Sequence, residues 1–168
     1  MLYRKYVHTR FGIILLESEN GFLTGAKRVM KAETDCSCPM LEKAAEALFA
    51  YENGLPSQNV IEISPDSTPF QLSVYREVSK IPFGETVSYG EIAERIGKKG
   101  ASRAVGYALN KNPVWIFIPC HRVIGKNKSL TGFAGGIELK KMLLDHEKAY
   151  LAKSSAICTA FVAAPFLT

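Results

Sequence analysis

The spacing of apolar positions changes character near residue 64. Before it, short apolar runs alternate with turn residues: Gly12 to Leu16 and Gly21 to Val29 have the texture of two hairpin strands. After Pro39, the residues Leu41, Ala44, Ala45, Leu48 and Phe49 recur at helical spacing within Met40 to Tyr51, and Asn53-Gly54 supplies the stop. Val60 to Ile63 reads as one more strand, and Ser64-Pro65-Asp66-Ser67-Thr68-Pro69 has the composition of a linker. The expected organisation is an N-terminal α/β domain over 1–63, a linker over 64–69 and a second domain over 70–168.

Beyond the linker the period is helical. Phe70, Val74, Val78 and Ile81 form an apolar stripe that ends at Pro82-Phe83-Gly84. A second helix is expected from Tyr89 to Ile96, with Ser88 as N-cap and Glu91 three residues on to complete a capping box. The basic turn Gly97-Lys98-Lys99-Gly100 leads to a third helix, about Ser102 to Asn110, with Ser102 as its cap and Ala104, Val105, Ala108 and Leu109 as packing residues. Two helices around a short glycine-containing turn form a helix-turn-helix pattern. The third helix carries small residues at Ala104, Gly106 and Ala108, which suit either close approach to a partner or packing on the preceding helix.

A chain of 168 residues that is 47% apolar can bury a real core without disulfide staples. No apolar run approaches the roughly 20 residues that span a bilayer, and Met1 to Arg10 does not resemble a secretory signal. A cytoplasmic location, nuclear in a eukaryote, is expected, with no membrane association. Cys36 and Cys38 enclose only Ser37, too close for a tetrahedral metal pair, so neither metal nor cofactor is expected; a local disulfide clip remains open. Cys158, in the apolar tail Ala156 to Leu167, reads as a small hydrophobe. The net charge of +5 is concentrated between Arg76 and Lys128, where ten basic residues face only Glu77, Glu85, Glu91 and Glu94. Nucleic acid and a merely solvated basic face both fit that excess.

The chemistry concentrates at Pro119-Cys120-His121-Arg122-Val123, after the strand-like run Val114 to Ile118. A thiol attacks as its thiolate, and an adjacent imidazole is a common activating device. Taken alone, the pair fits a nucleophile or a buried core thiol.

Several separated motifs then agree in order. Val87-Ser88-Tyr89-Gly90-Glu91-Ile92-Ala93, Ser102-Arg103-Ala104-Val105-Gly106, Asn112-Pro113, Ile118-Pro119-Cys120-His121-Arg122-Val123 and Leu143-Leu144-Asp145-His146-Glu147 together resemble the O6-alkylguanine-DNA alkyltransferase family, over about residues 67 to 147. The resemblance implies an α/β protein: a small N-terminal α/β domain, ribonuclease H-like, plus a mainly helical C-terminal domain with a helix-turn-helix. It implies a monomer that acts on double-stranded DNA containing O6-alkylguanine, flips the damaged nucleotide from the stack and transfers the alkyl group once, irreversibly, to Cys120.

By the same resemblance His121 takes the thiol proton through a water, Glu147 orients the imidazole, and Tyr89 donates to guanine N3. Asn112 acts as a hinge, with Pro113 fixing the backbone behind it. Arg103 fills the space left by the flipped base, and Ser102, Gly90, Gln71, Lys98 and Lys126 fall where the family meets DNA. Cys120 and Val123 main-chain groups read the guanine edge, with Lys140 near the site. Phe133 and Ala134 stand where many members carry Tyr and Ser, so a backbone N–H from Ala134 takes over a contact to O6. Two rivals differ in class: an alkyltransferase-like lesion-binding protein without transfer, which the presence of Cys120 disfavours, and a Cys-His hydrolase, which would need an oxyanion hole and turnover.

Overall fold

The computed structural model describes residues 1–55, 60–130 and 132–153; Cys158 and its apolar tail, and Thr131, lie outside them. Among the described residues the chain forms two compact units, one from Met1–Asp66 with Pro113–Trp115, the other from Ser67–Asn112 with residues 116–153.

In the first unit, β1 (Leu2–Thr9), β2 (Gly12–Glu19) and β3 (Phe22–Val29) make an antiparallel sheet in that order. The β2–β3 hairpin turns at Asn20 and Gly21, both at positive φ (52° and 84°), the mirror-image turn whose twist matches its strands. Strand β1 was not anticipated, because the charges of Met1 to Arg10 obscured the half-buried positions between them. Helix α1 (Pro39–Glu52) buries Leu41, Ala44, Ala45, Leu48 and Tyr51. Phe49, expected on the apolar face, is instead 47% exposed, while Tyr51 packs with its ring 5.8 Å from that of Phe11.

Two expected strands contract to single bridges. Of Val60 to Ile63, only Ile63 pairs, with Leu23; of Val114 to Ile118, only Val114 pairs, with Ala26. Ile116 has φ 73°, so no regular strand can pass through it. Cys36 and Cys38 are both free thiols, which removes the disulfide clip. Cys36 instead bridges Arg4 through its backbone, at 2.9 Å in both directions.

The second unit packs α2 (Pro69–Ser79), α3 (Tyr89–Arg95), α4 (Ser102–Asn110) and α5 (Ile137–Lys153) around buried Val74, Val78, Ile92, Val105, Leu109 and Leu143. Capping boxes start α2 (Thr68 with Gln71) and α3 (Ser88 with Glu91). The expected cap at Ser102 does not form: Ala101 occupies the N-cap and makes no side-chain bond, with Ser102 already inside α4. Glycines 97 and 100, at φ 69° and 87°, permit the turn between α3 and α4. Ala104 is exposed rather than packed, whereas Ala108 is buried and its carbonyl accepts the Tyr75 hydroxyl at 3.0 Å. A two-residue parallel ladder joins β4 (Val87–Ser88) to β5 (Val123–Ile124). Among the described residues no helix is long and apolar enough to cross a membrane.

Candidate active site

Cys120 opens a single 3-10 turn, Cys120–Arg122, placed between the backbone at Pro119 and β5. Its thiol is 3% exposed, and burial pushes its pKa up to about 11. Working against that burial are the amide of Asn112, whose Nδ2 lies 3.0 Å from Sγ, the charge of Lys140, and the backbone amides of Cys120 and His121. The same Nδ2 donates to the Ile118 carbonyl at 3.0 Å, so one buried amide fixes both the thiol and the strand-like segment leading to it.

The next two side chains point at one carboxylate. His121 Nε2 lies 2.6 Å from Glu147 Oε1, both residues fully buried. Arg122 engages both Glu147 oxygens, Nε to Oε2 at 3.0 Å and Nη2 to Oε1 at 3.0 Å. The Gly84 amide donates to Oε2 at 2.7 Å. Although burial alone would raise its pKa, Glu147 is held down at about 2 by His121 and Arg122, so it is a carboxylate at any physiological pH. The His121 pKa is lowered, chiefly by burial, with Arg122 and Lys140 adding to the effect and Glu147 opposing it.

Tyr89, the first residue of α3, forms the other side of the site. Its phenol is pushed up to about 12, mainly by burial, so it carries its proton at neutral pH. Lys140 Nζ lies 3.4 Å from the phenol oxygen and donates to the Val123 carbonyl at 2.6 Å. Fully buried, Lys140 is lowered to about 8 by desolvation. A side chain at Gly132 would start 2.8 Å from the Tyr89 hydroxyl and one at Gly106 3.7 Å from its ring, so glycines flank the phenol on two sides. Here Gly106 abuts Tyr89.

The structure therefore brings Cys120, His121, Glu147, Asn112, Tyr89, Lys140 and Val123 into one region. The Val123 carbonyl is already an acceptor for Lys140, and a second contact would use its remaining lone pair. Ala134 is exposed in the glycine-containing loop before α5. The residues expected to meet a partner lie elsewhere: Arg103, Lys98 and Lys126 are exposed, Gln71, Gly90 and Ser102 half-buried. Gly90 and Ser102 adjoin, a Cβ on Gly90 falling 3.7 Å from the Ser102 hydroxyl. Gln71 already spends its side-chain carbonyl on the Thr68 amide.

Three participants escaped the sequence reading. Arg122 was counted with the basic surface residues, yet it is 2% exposed and neutralised by Glu147. Gly84 contributes through a backbone N–H, which has no side-chain signature. Tyr107, 67% exposed with Lys111 Nζ 5.7 Å from its ring centroid, extends the Arg103 face of α4 and could have been found from its i+4 spacing. Among the described residues no group of His, Cys, Asp and Glu could hold a metal ion.

Comparison with known proteins places these features in a family. The family model described as the 6-O-methylguanine DNA methyltransferase DNA-binding domain matches residues 69–149. A methylated-DNA-protein-cysteine methyltransferase of Methanosarcina barkeri is 42% identical over 154 residues, covering 88% of this chain and 98% of the relative. The crystal structure of Mycobacterium tuberculosis O6-methylguanine methyltransferase is similar with a TM-score of 0.80 at 36% identity, over 89% of this chain and 94% of that one. A Mycobacterium tuberculosis OGT solved in complex with DNA gives 0.79 at 37% identity, over 88% and 93%.

Proposed function

The chain belongs to the methylated-DNA-protein-cysteine methyltransferase family and repairs DNA by direct transfer to its own cysteine; we propose that Cys120 is the acceptor and O6-alkylguanine in duplex DNA the substrate. The observation that carries this reading is the buried Cys120 thiol next in sequence to a buried His121 whose ring is held 2.6 Å from the Glu147 carboxylate.

Because burial holds the thiol protonated, attack needs a proton acceptor close by. His121 takes that proton through a water, while Glu147 fixes the ring through Nε2 and leaves Nδ1 for the relay. The sulfur electron pair forms the S–C bond to the alkyl carbon as the C–O6 bond breaks, and the bonding pair departs with guanine. Tyr89 gives its phenolic proton to the developing anion at N3, and Lys140, a stronger acid 3.4 Å away, replaces it. The products are unmodified guanine and a thioether. No leaving route restores the thiol, so each molecule acts once.

The α3-turn-α4 pair serves as a helix-turn-helix. Arg103 enters the stack beside the flipped nucleotide, and Lys98, Lys126, Gln71, Gly90 and Ser102 meet the backbone. Asn112 is the hinge, Val123 and Ala134 contact the base, and the β1–β3 sheet with α1 is the ribonuclease H-like part. The protein works as a monomer in the cytoplasm, or in the nucleus of a eukaryote. Incubation with a duplex containing O6-methylguanine, followed by intact mass and peptide mapping, should show one methyl group on Cys120 per lesion repaired. Unmodified protein still bound to the lesion would sink the reading.

A further inference from the structure

We propose that Arg122 is a positioning residue that keeps His121 a neutral proton acceptor by sharing the Glu147 carboxylate with it, the guanidinium holding both oxygens while the imidazole touches one. The inference rests on the reading that His121 receives the Cys120 proton. An imidazole 2.6 Å from a buried carboxylate that had no other cation would ionise and form an ion pair with it. An imidazolium has no lone pair with which to accept a proton from a thiol. The site would then be electrostatically tidy and chemically idle.

The geometry prevents this. Arg122 is cationic at any relevant pH, and its Nε and Nη2 reach the two Glu147 oxygens at 3.0 Å each. The remaining arm is fixed, Nη1 donating to the Ile81 carbonyl at 2.7 Å, and the guanidinium carbon sits 5.7 Å from the centroid of the Phe83 ring. Gly84 adds a neutral donor to Oε2. The carboxylate thus accepts from a cation at both oxygens before His121 is counted, so its charge is already compensated.

The charged and titratable groups facing His121 are Glu147 and Lys140 from α5, with Cys120 and Arg122 beside it in the 3-10 turn. Arg122 and Glu147 cancel, and a proton added to the ring would leave two uncompensated cations, imidazolium and Lys140, both on fully buried side chains. The pKa of His121 is lowered first by its burial, and the Arg122 charge acts in the same direction. Arg122 therefore sets which protonation state waits beside the thiol, and Glu147 still steadies the imidazolium when it forms transiently.

Ring nitrogen and carbon shifts of His121, recorded by NMR against pH, test this on the full chain. In the wild type the ring should be neutral at pH 7, with its proton on Nε2. Arg122→Met should raise the midpoint by at least about one pH unit, a tenfold increase in the imidazolium-to-imidazole ratio wherever the ring is titrating, and Arg122→Lys, which keeps the charge, should stay close to the wild type. The acid limb of the single-turnover alkylation rate should move with the midpoint. A merely structural role would lower the rate equally at every pH.

An imidazolium in the wild type at pH 7, or a folded Arg122→Met protein with an unmoved midpoint, would overturn the proposal. If Arg122→Met does not fold, the wild-type ring state and the Arg122→Lys midpoint decide, and a rise of a full unit in the latter counts against it. Failure of the wild type to take up methyl, with the ring titrating as expected, would instead remove the transfer reading and leave the Arg122 effect standing.

Discussion

With a pKa near 11 the Cys120 thiol is almost wholly protonated at pH 7, and the residues around it divide the work of changing that. Asn112 and Lys140 favour the thiolate once formed, whereas in the proposed reaction His121 with Glu147 provides a place for the proton. Glu147 also couples the site to stability. Its ordinary pKa of 4.5 falls to about 2 in the folded chain, so its stabilising contribution is complete above about pH 4.5 and is lost as pH drops towards 2. Glu147→Gln should flatten that part of the stability curve in urea melts at graded pH. At pH 7 it should also cost about 3–5 kcal/mol, because Arg122 is left as an uncompensated buried charge. The Cys-His adjacency was legible as chemistry from the sequence. Arg122 was not, since nothing local distinguishes a buried arginine from the surface lysines nearby.

At the scale of elements, caps decide where the reactive groups stand. Ser88 accepts from the Glu91 amide while the Glu91 carboxylate accepts from the Ser88 amide, and the helix so started begins with Tyr89. Ser88→Ala should remove about 1 kcal/mol and lower Tm by roughly 2–4 °C, measured by calorimetry. Alkyl transfer should slow as well, because the phenol's anchor is loosened. Helices α1 to α4 were readable because each combines an apolar stripe with a stop or a cap. The β4–β5 ladder was not: two residues give no periodicity, and their pairing joins Val87 to Val123 across 36 positions of sequence. The run Val114 to Ile118 misled for the converse reason, its apolar residues being buried singly around the positive-φ Ile116. Helix α5 places Glu147 well inside its span, where spacing alone does not mark it and only the family resemblance does.

For the molecule as a whole, the net charge of +5 overstates and understates different regions. Arg122 is cancelled and Lys140 buried, so the exposed excess resides on residues such as Lys98, Arg103, Lys111 and Lys126. If these meet phosphates, DNA affinity should fall linearly on a log scale with salt. Each of Lys98→Ala and Lys126→Ala should make that slope shallower by about 1, while leaving the methyl stoichiometry at saturating DNA unchanged. A slope that does not move would place the lysine away from the duplex.

Burial of the Cys120 sulfur has a further consequence, for the life of the protein before it meets damage. With Cys120 as the proposed acceptor, a reagent that can be used once is wasted if a peroxide or a stray electrophile reaches it first, and both prefer exposed thiolates. Cys120 presents neither property at rest, whereas Cys36 is exposed and Cys38 partly so. A maleimide titration followed by peptide mapping should modify Cys36 and Cys38 well before Cys120. The seal that makes the thiol slow to ionise is then also its preservative, keeping the molecule fit for service until the one encounter that consumes it.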